Sequence, residues 1–151
     1  MLDRADRNIL RALQQNGRMT NQDLAAQASI SPSACVERLR KLREQGYVSD
    51  IVALLNPEKL DRALLVFIEV MLDRTNNNVF DHFAAVVQDM PEILECHMVA
   101  GGFDYLLKVR VENMAAYRTF LGHSLFHMTG IRETRTYAVL EEVKYTTALP
   151  I

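Results

Sequence analysis

Two groups of residues in this chain have types and spacings that can do chemistry. The first runs from Ser31 to Lys41. Stepped at about 100° per residue, Cys35, Val36, Leu39 and Leu42 fall on one apolar stripe of a helix, while Ser33, Ala34, Glu37, Arg38 and Lys41 point the other way. Small side chains near the helix start permit close approach to base edges, and Arg38, Arg40, Lys41 and Arg43 can meet phosphates or guanine. An ordinary amphipathic helix with a solvated basic face has the same pattern, so this segment alone leaves both readings open. The second group is Gly101-Gly102-Phe103-Asp104-Tyr105, with Thr134 and Thr136 two apart on a later strand and therefore on one face. A free amino acid carries a carboxylate and an ammonium, so its site needs clustered N–H donors with close backbone access for one and a carboxylate for the other. Gly101, Gly102 and Asp104 supply those types, and the threonine hydroxyls can add polar contacts. A two-glycine hairpin turn with a solvated aspartate accounts for the same residues.

Catalytic patterns are sparser. His123 and His127 stand at i, i+4 and can share a metal, but a zinc site needs at least three protein ligands and no third is evident. Glu95 and His97 share a strand face, which permits a hydrogen bond or simple packing. There is no nucleophile elbow and no phosphate-binding glycine loop. Cys35 and Cys96 are isolated in apolar surroundings and read as reduced, buried small hydrophobes.

The elements that must position these residues follow from periodicity and caps. Residues 20–46 read as two short helices about a tight turn: Thr20 or Asn21 caps the first, which is apolar at Leu24, Ala25 and Ala28. Ser29-Ile30-Ser31 breaks the chain, and Ser31 caps the second helix with Pro32 at its first position. Upstream, residues 2–17 form an amphipathic helix with a seam of Leu2, Ile9, Leu10 and Leu13 and a stop at Asn16-Gly17. Tyr47 to Ala53 is apolar at alternate positions, like a strand, and predicts a wing or hinge. Asn56-Pro57 breaks the chain and caps a single turn over 58–60. Beyond it come a strand over 64–72, a helix over 78–89, strands over 93–100 and 104–111, a helix over 113–127 and a strand over 131–143. The order β-α-β-β-α-β predicts a ferredoxin-like antiparallel sheet with both helices on one face. The fold class is therefore α+β: a three-helix, winged-helix-like helix-turn-helix domain at 1–50, a hinge at 51–62 and a ferredoxin-like domain at 63–151. Leu64-Leu65-Val66-Phe67-Ile68 shows no alternation, which predicts that both sheet faces are covered, most simply by another subunit's sheet.

Composition limits the function classes. With 151 residues, 49% hydrophobic and 24% charged, the chain reads as an ordinary globular protein. Its apolar runs are too short to span a bilayer and its start lacks a signal peptide's apolar stretch, so cytoplasmic placement without membrane contact is expected. The net charge of −2 hides an asymmetry: residues 1–50 hold eight Lys and Arg against six Asp and Glu, and the remainder nine against thirteen. The weakly basic part is the DNA-facing one, and useful affinity requires several copies on one DNA.

The strings SPSACVERLRKLREQGYV, LLNPEKLD, PEILECHMVAGGFDYLLKVRV, AYRTFLG and TRTYAVLEEVK together resemble the Lrp/AsnC (feast/famine) transcription regulators, and the resemblance runs through nearly the whole chain. It implies a non-enzymatic regulator without cofactor, built from a helix-turn-helix, a hinge and an amino-acid-sensing domain. Dimers would assemble into larger rings, usually octamers, around which double-stranded DNA can wrap as part of the nucleoid. The DNA-contacting set is then Ser31, Ser33, Ala34, Glu37, Arg38, Arg40 and Lys41, and the effector set Gly101, Gly102, Asp104, Tyr105, Thr134 and Thr136. The expected effector is leucine first and methionine second, bound between dimers with its carboxylate on the hairpin amides and its ammonium at Asp104. Two departures stand out: relatives often carry a basic tail ahead of the first helix, whereas this sequence reaches Asp3 almost at once, and many have an acidic residue where Gly102 stands. An architectural DNA-wrapping protein without obligatory ligand, or a small amino-acid-binding enzyme or carrier, are the other classes these features admit. DNA titration with and without amino acids separates them.

Overall fold

The computed structural model describes residues 1–75 and 77–151, in two compact units. The first comprises Met1–Leu54 together with Lys144–Ile151. Its helix α1 (Arg4–Gln15) starts in a capping box: the Asp6 N–H donates to Asp3 Oδ1 at 2.9 Å and the Asp3 N–H to Asp6 Oδ2 at 3.1 Å. Helices α2 (Asn21–Ala28) and α3 (Pro32–Glu44) complete a bundle. Its core is Ile9, Leu10, Ala12, Leu24, Ala25, Ala28, Cys35, Leu39 and Leu42. Gly46, at φ 75°, lets the Tyr47 N–H turn back to the Leu42 carbonyl at 2.9 Å and ends α3.

The strand expected over Tyr47 to Ala53 is not realised. The segment pairs with no strand among the described residues, and alternating apolarity without a partner backbone leaves it irregular, with Ile51, Val52 and Leu54 exposed. The chain's end also departs from expectation, because the last residues cluster with the first unit. Gln14 and Leu149 exchange two hydrogen bonds at 2.6 and 3.0 Å, Arg11 Nε donates to the Ile151 carbonyl at 2.5 Å, and Ile151 packs against the three-helix core.

The second unit is Leu55–Val143. Asn56 Oδ1 accepts the N–H groups of Glu58 and Lys59 at 2.9 and 3.2 Å, capping the single 3₁₀ turn Glu58–Leu60 as the sequence predicts. Then follow β1 (Leu64–Leu72), α4 (Val79–Val87), β2 (Ile93–Met98), β3 (Tyr105–Val111), α5 (Met114–Phe120), which runs into a π turn at Leu121–Leu125, and β4 (Ile131–Ala138). The sheet order is β2-β3-β1-β4 with every neighbour antiparallel, the ferredoxin-like βαββαβ arrangement. Val66, Ile68, Val70 and Leu72 of β1 pack with Phe83, Val87, Tyr117, Phe120 and Leu125 of the helices. The unalternating sequence of β1 thus sorts into a helix-covered face of Leu64, Val66, Ile68, Val70 and Leu72 and an opposite face on which Leu65 is buried and Phe67, Glu69 and Met71 are half-buried. β4 ends at Ala138 rather than near residue 143, because it reaches the start of β1: after Val66↔Ala138 there remains one bond, from the Val139 N–H to the Leu65 carbonyl.

Candidate functional site

The helix-turn-helix is built from caps. Thr20 Oγ1 accepts the Asp23 N–H at 3.2 Å and donates to Asp23 Oδ2 at 2.6 Å, starting α2. Ser29 adopts the left-handed conformation, φ 56°, at the C-terminus of α2, and the Ile30 N–H returns to the Ala25 carbonyl at 3.0 Å. Ser31 Oγ accepts the Ala34 N–H at 3.3 Å with Pro32 opening α3. Ser31 therefore spends its hydroxyl on the helix start, leaving Ser33, Ala34, Glu37, Arg40 and Lys41 exposed along the outer side.

Two side chains of α3 lie where the wheel did not put them. Cys35, Leu39 and Leu42, at i, i+4 and i+7, form the core seam, and Val36 stays 47% exposed. Arg38 turns back to the start of α1, where Nη1 meets Asp3 Oδ2 at 2.6 Å and Asp6 Oδ1 at 2.7 Å. The Asp6 N–H, and then the Arg38 guanidinium, hold the Asp3 carboxyl below its ordinary value. Arg38 thus clamps α3 to α1 instead of lying free on the outer face.

The remaining cations of α3 are also ordered. Arg40 is gripped by Glu37 at 2.7 Å and Glu44 at 2.5 Å, and Lys41 Nζ lies 3.5 Å from Glu37. Hydrogen bonding from Arg40 keeps the Glu37 carboxyl below the usual range. Exposed ion pairs of this kind are worth little and exchange readily for phosphate oxygens. Arg43 makes no ion pair among the described residues.

The second site is the β2–β3 turn. A cavity of about 280 Å³ is lined by Met71, Leu72, Arg74, Gly101, Gly102, Phe103, Asp104 and Arg132. Neither Gly101 nor Gly102 has a positive φ, and a Cβ at either would meet nothing within 4 Å. The turn's own backbone therefore does not demand glycine at these positions. Asp104 is 5% exposed: Oδ2 accepts the Leu72 N–H at 2.8 Å and Oδ1 the Arg74 Nη2 at 2.6 Å. Burial works to raise its carboxyl, but the Leu72 N–H and the Arg74 guanidinium outweigh it and hold the group below its ordinary value. The carboxylate proposed from sequence as the ammonium partner is turned inward, completing the hydrogen bonding at the end of β1.

Three of the six residues expected at this site lie elsewhere. Tyr105 is buried on the helix face, its ring 4.7 Å from that of Phe83. Thr134 and Thr136 do share a face, but it is the helix-covered one, opposite Val70 and Ile68, and the Thr136 hydroxyl is 2.5 Å from that of Tyr117. In their place the structure brings Met71, Arg74 and Arg132. Arg132 arrives through a bulge: Met71 pairs with Glu133 and Leu72 with Ile131, leaving Arg132 without a partner in the register and re-aimed to the cavity rim. An alternating strand pattern cannot show that slip. Elsewhere Glu95 and His97 form the hydrogen bond their spacing permits, at 3.0 Å, and the rings of His123 and His127 lie edge to face at 6.3 Å.

A reading helix and a ligand-sized turn cavity on a ferredoxin-like unit match a known combination, and the model of the Lrp/AsnC ligand binding domain aligns with residues 65–149. The chain belongs to the Lrp/AsnC family. A winged helix-turn-helix DNA-binding model matches residues 2–49, over α1 to α3. The Leucine-responsive regulatory proteins of Salmonella typhimurium and Escherichia coli are each 51% identical over 150 residues, covering 99% of this chain and 92% of theirs. Among solved structures, a transcriptional regulator from Neisseria meningitidis in complex with L-Met superposes with a TM-score of 0.95 at 38% identity, over 99% of this chain and 97% of that one. An AsnC family transcriptional regulator from Agrobacterium tumefaciens gives 0.93 at 35% identity, with the same coverage. This Lrp/AsnC chain is a DNA-binding transcriptional regulator with an effector domain, not an enzyme.

Proposed function

We propose that the protein binds specific double-stranded DNA sites through α3 and adjusts that binding to a small apolar amino acid, leucine first and methionine second, held at the β2–β3 turn between dimers. The observation that carries the reading is the cavity at Gly101 to Asp104, which combines charged groups with apolar walls from Met71, Leu72 and Phe103. The leucine in the relatives' names and the L-Met of the Neisseria structure support the choice of amino acid. Ser33, Ala34, Val36 and Glu37 present small, apolar and acceptor groups to base edges in the major groove, while Arg40, Lys41 and Arg43 meet phosphates. A domain of such modest charge binds usefully only when several copies share one DNA, so the working form is a dimer or a larger ring, an octamer in this reading, acting on chromosomal DNA in the cytoplasm. An amino acid at a contact between dimers changes DNA binding by favouring one assembly over another, a coupling of typically about 1–3 kcal/mol.

The test is a DNA titration at fixed salt with and without each amino acid, beside calorimetry. Leucine and methionine should shift the DNA midpoint severalfold, and Lys41→Ala should weaken binding and flatten its salt dependence by about one unit of slope. DNA affinity and assembly unchanged by all twenty amino acids would favour the architectural, ligand-free alternative.

A further inference from the structure

The charges at the turn cavity do not balance. Arg74 is neutralised by Asp104 at 2.6 Å, and that carboxylate is buried against the Leu72 N–H. Arg132 makes no direct ion pair among the described residues, although its charge helps to hold the Asp104 carboxyl low: its Nη2 rests against the Met71 sulfur, an uncharged acceptor, and the adjacent Glu133 is committed to Arg135 at 3.0 Å. Two guanidiniums and one inward-facing carboxylate leave one net positive charge on the rim of an apolar-walled cavity of about 280 Å³. A monoanionic head on a small apolar body fits that distribution, and a planar guanidinium fork matches a carboxylate.

We infer that Arg132, with Arg74 beside it, receives the effector's carboxylate, reversing the polarity that would put the ammonium on Asp104. This rests on the amino-acid reading above and names the residue that reads the head group. Arg132 is a product of the β4 bulge, so the register slip between Met71 and Leu72 acquires a purpose: it takes a strand side chain out of the pairing and aims it at the turn. Asp104 then serves the site indirectly, holding Arg74 and the end of β1.

Calorimetry on the full chain tests this with leucine, leucinamide, whose carboxylate is replaced by a neutral amide, and the variants Arg132→Gln and Arg74→Gln. Wild type should bind leucine and discriminate against leucinamide. Arg132→Gln should lower leucine affinity by about ten- to a hundredfold, the usual range for losing hydrogen bonds to a charged group. It should also narrow the preference over leucinamide while leaving thermal melting and ligand-free DNA binding unchanged, since the side chain is exposed. Arg74→Gln should show a smaller loss. Wild type that binds leucine and leucinamide alike, or an Arg132→Gln variant with wild-type leucine affinity, overturns the inference and leaves the amino-acid reading standing. Wild type that binds neither leucine nor methionine removes both.

Discussion

At the scale of single residues, what each charged group does is decided by what it already holds. Arg38 has the type and helical position of a base reader, yet its two bonds to Asp3 and Asp6 make it a clamp between α3 and the start of α1. Arg38→Ala should therefore lower the melting temperature, and weaken DNA binding through that loss of order. Mobility shifts well below the melting point should then show a smaller defect than Lys41→Ala, whereas the reverse order would restore Arg38 as a reader. Asp104 gives the complementary case. Replacing it by alanine strands the buried Leu72 N–H, a loss of about 1–3 kcal/mol, and Asp104→Asn, which keeps an acceptor for that N–H, should cost less. The pH dependence follows from its sign. The folded-state carboxyls of Asp104 and Asp3 both sit below the ordinary value of 3.8. Their stabilisation is complete above that value and is lost as pH falls through the lowered ones. Melting temperature should hold steady down to about pH 5 and fall below about pH 4, with a shallower acid fall in Asp104→Asn; an identical acid profile in that variant would contradict it.

At the scale of elements, turns set where the site residues end up. Gly130 enters β4 at φ 97°, and a Cβ there would come within 2.3 Å of Val79 Cγ2. Gly130→Ala combines an unfavourable backbone conformation with a clash against α4, so a destabilisation of about 1–3 kcal/mol is expected in chemical denaturation. Gly102→Ala meets open space at negative or extended φ and should leave stability unchanged; if the turn holds an amino acid, its effect appears only in leucine affinity. The element order was legible in the sequence because it rests on local signals: the Thr20 and Ser31 caps, the Gly46 stop and the change from helical to strand periodicity after residue 62. What was hidden depends on partners far along the chain. The pairing of Arg38 with Asp3 spans 35 residues, the inward turn of Asp104 depends on the end of β1, and Arg132 reaches the rim only through a register slip between strands. Tyr105, Thr134 and Thr136 were misplaced for the same reason: their face is set by the register against Val70 and Ile68, and residue type says nothing about it.

At the scale of the whole molecule, the chain passes between its units twice, at residues 54–55 and 143–144. The second passage leads into the segment held by Gln14 and Arg11 on α1, so deleting residues 146–151 should lower the melting temperature of the helix-turn-helix unit by removing those bonds and the packing of Ile151. Assembly is the larger prediction. One copy leaves the sheet face bearing Phe67 and Met71 half-buried and exposes Ile51, Val52, Leu54 and Leu55 on an irregular segment that pairs with no strand among the described residues. A run of exposed apolar side chains on a segment that pairs with no strand is unfavourable in water and suits pairing with a second copy about a two-fold axis. That arrangement also supplies the second reading helix that a domain of net charge +2 requires for useful DNA affinity. Light scattering at micromolar concentration should report a multiple of the 17.2 kDa chain mass, and leucine should move the distribution among multiples. A mass near 17.2 kDa would contradict the prediction, and two chains that never grow further would confine assembly to the dimer. Replacing Val52 and Leu54 together by lysine separates the two surfaces: if the irregular segment contributes to the dimer, the variant should dissociate at higher concentration than wild type, and if the sheet face alone carries it, the mass should stay unchanged.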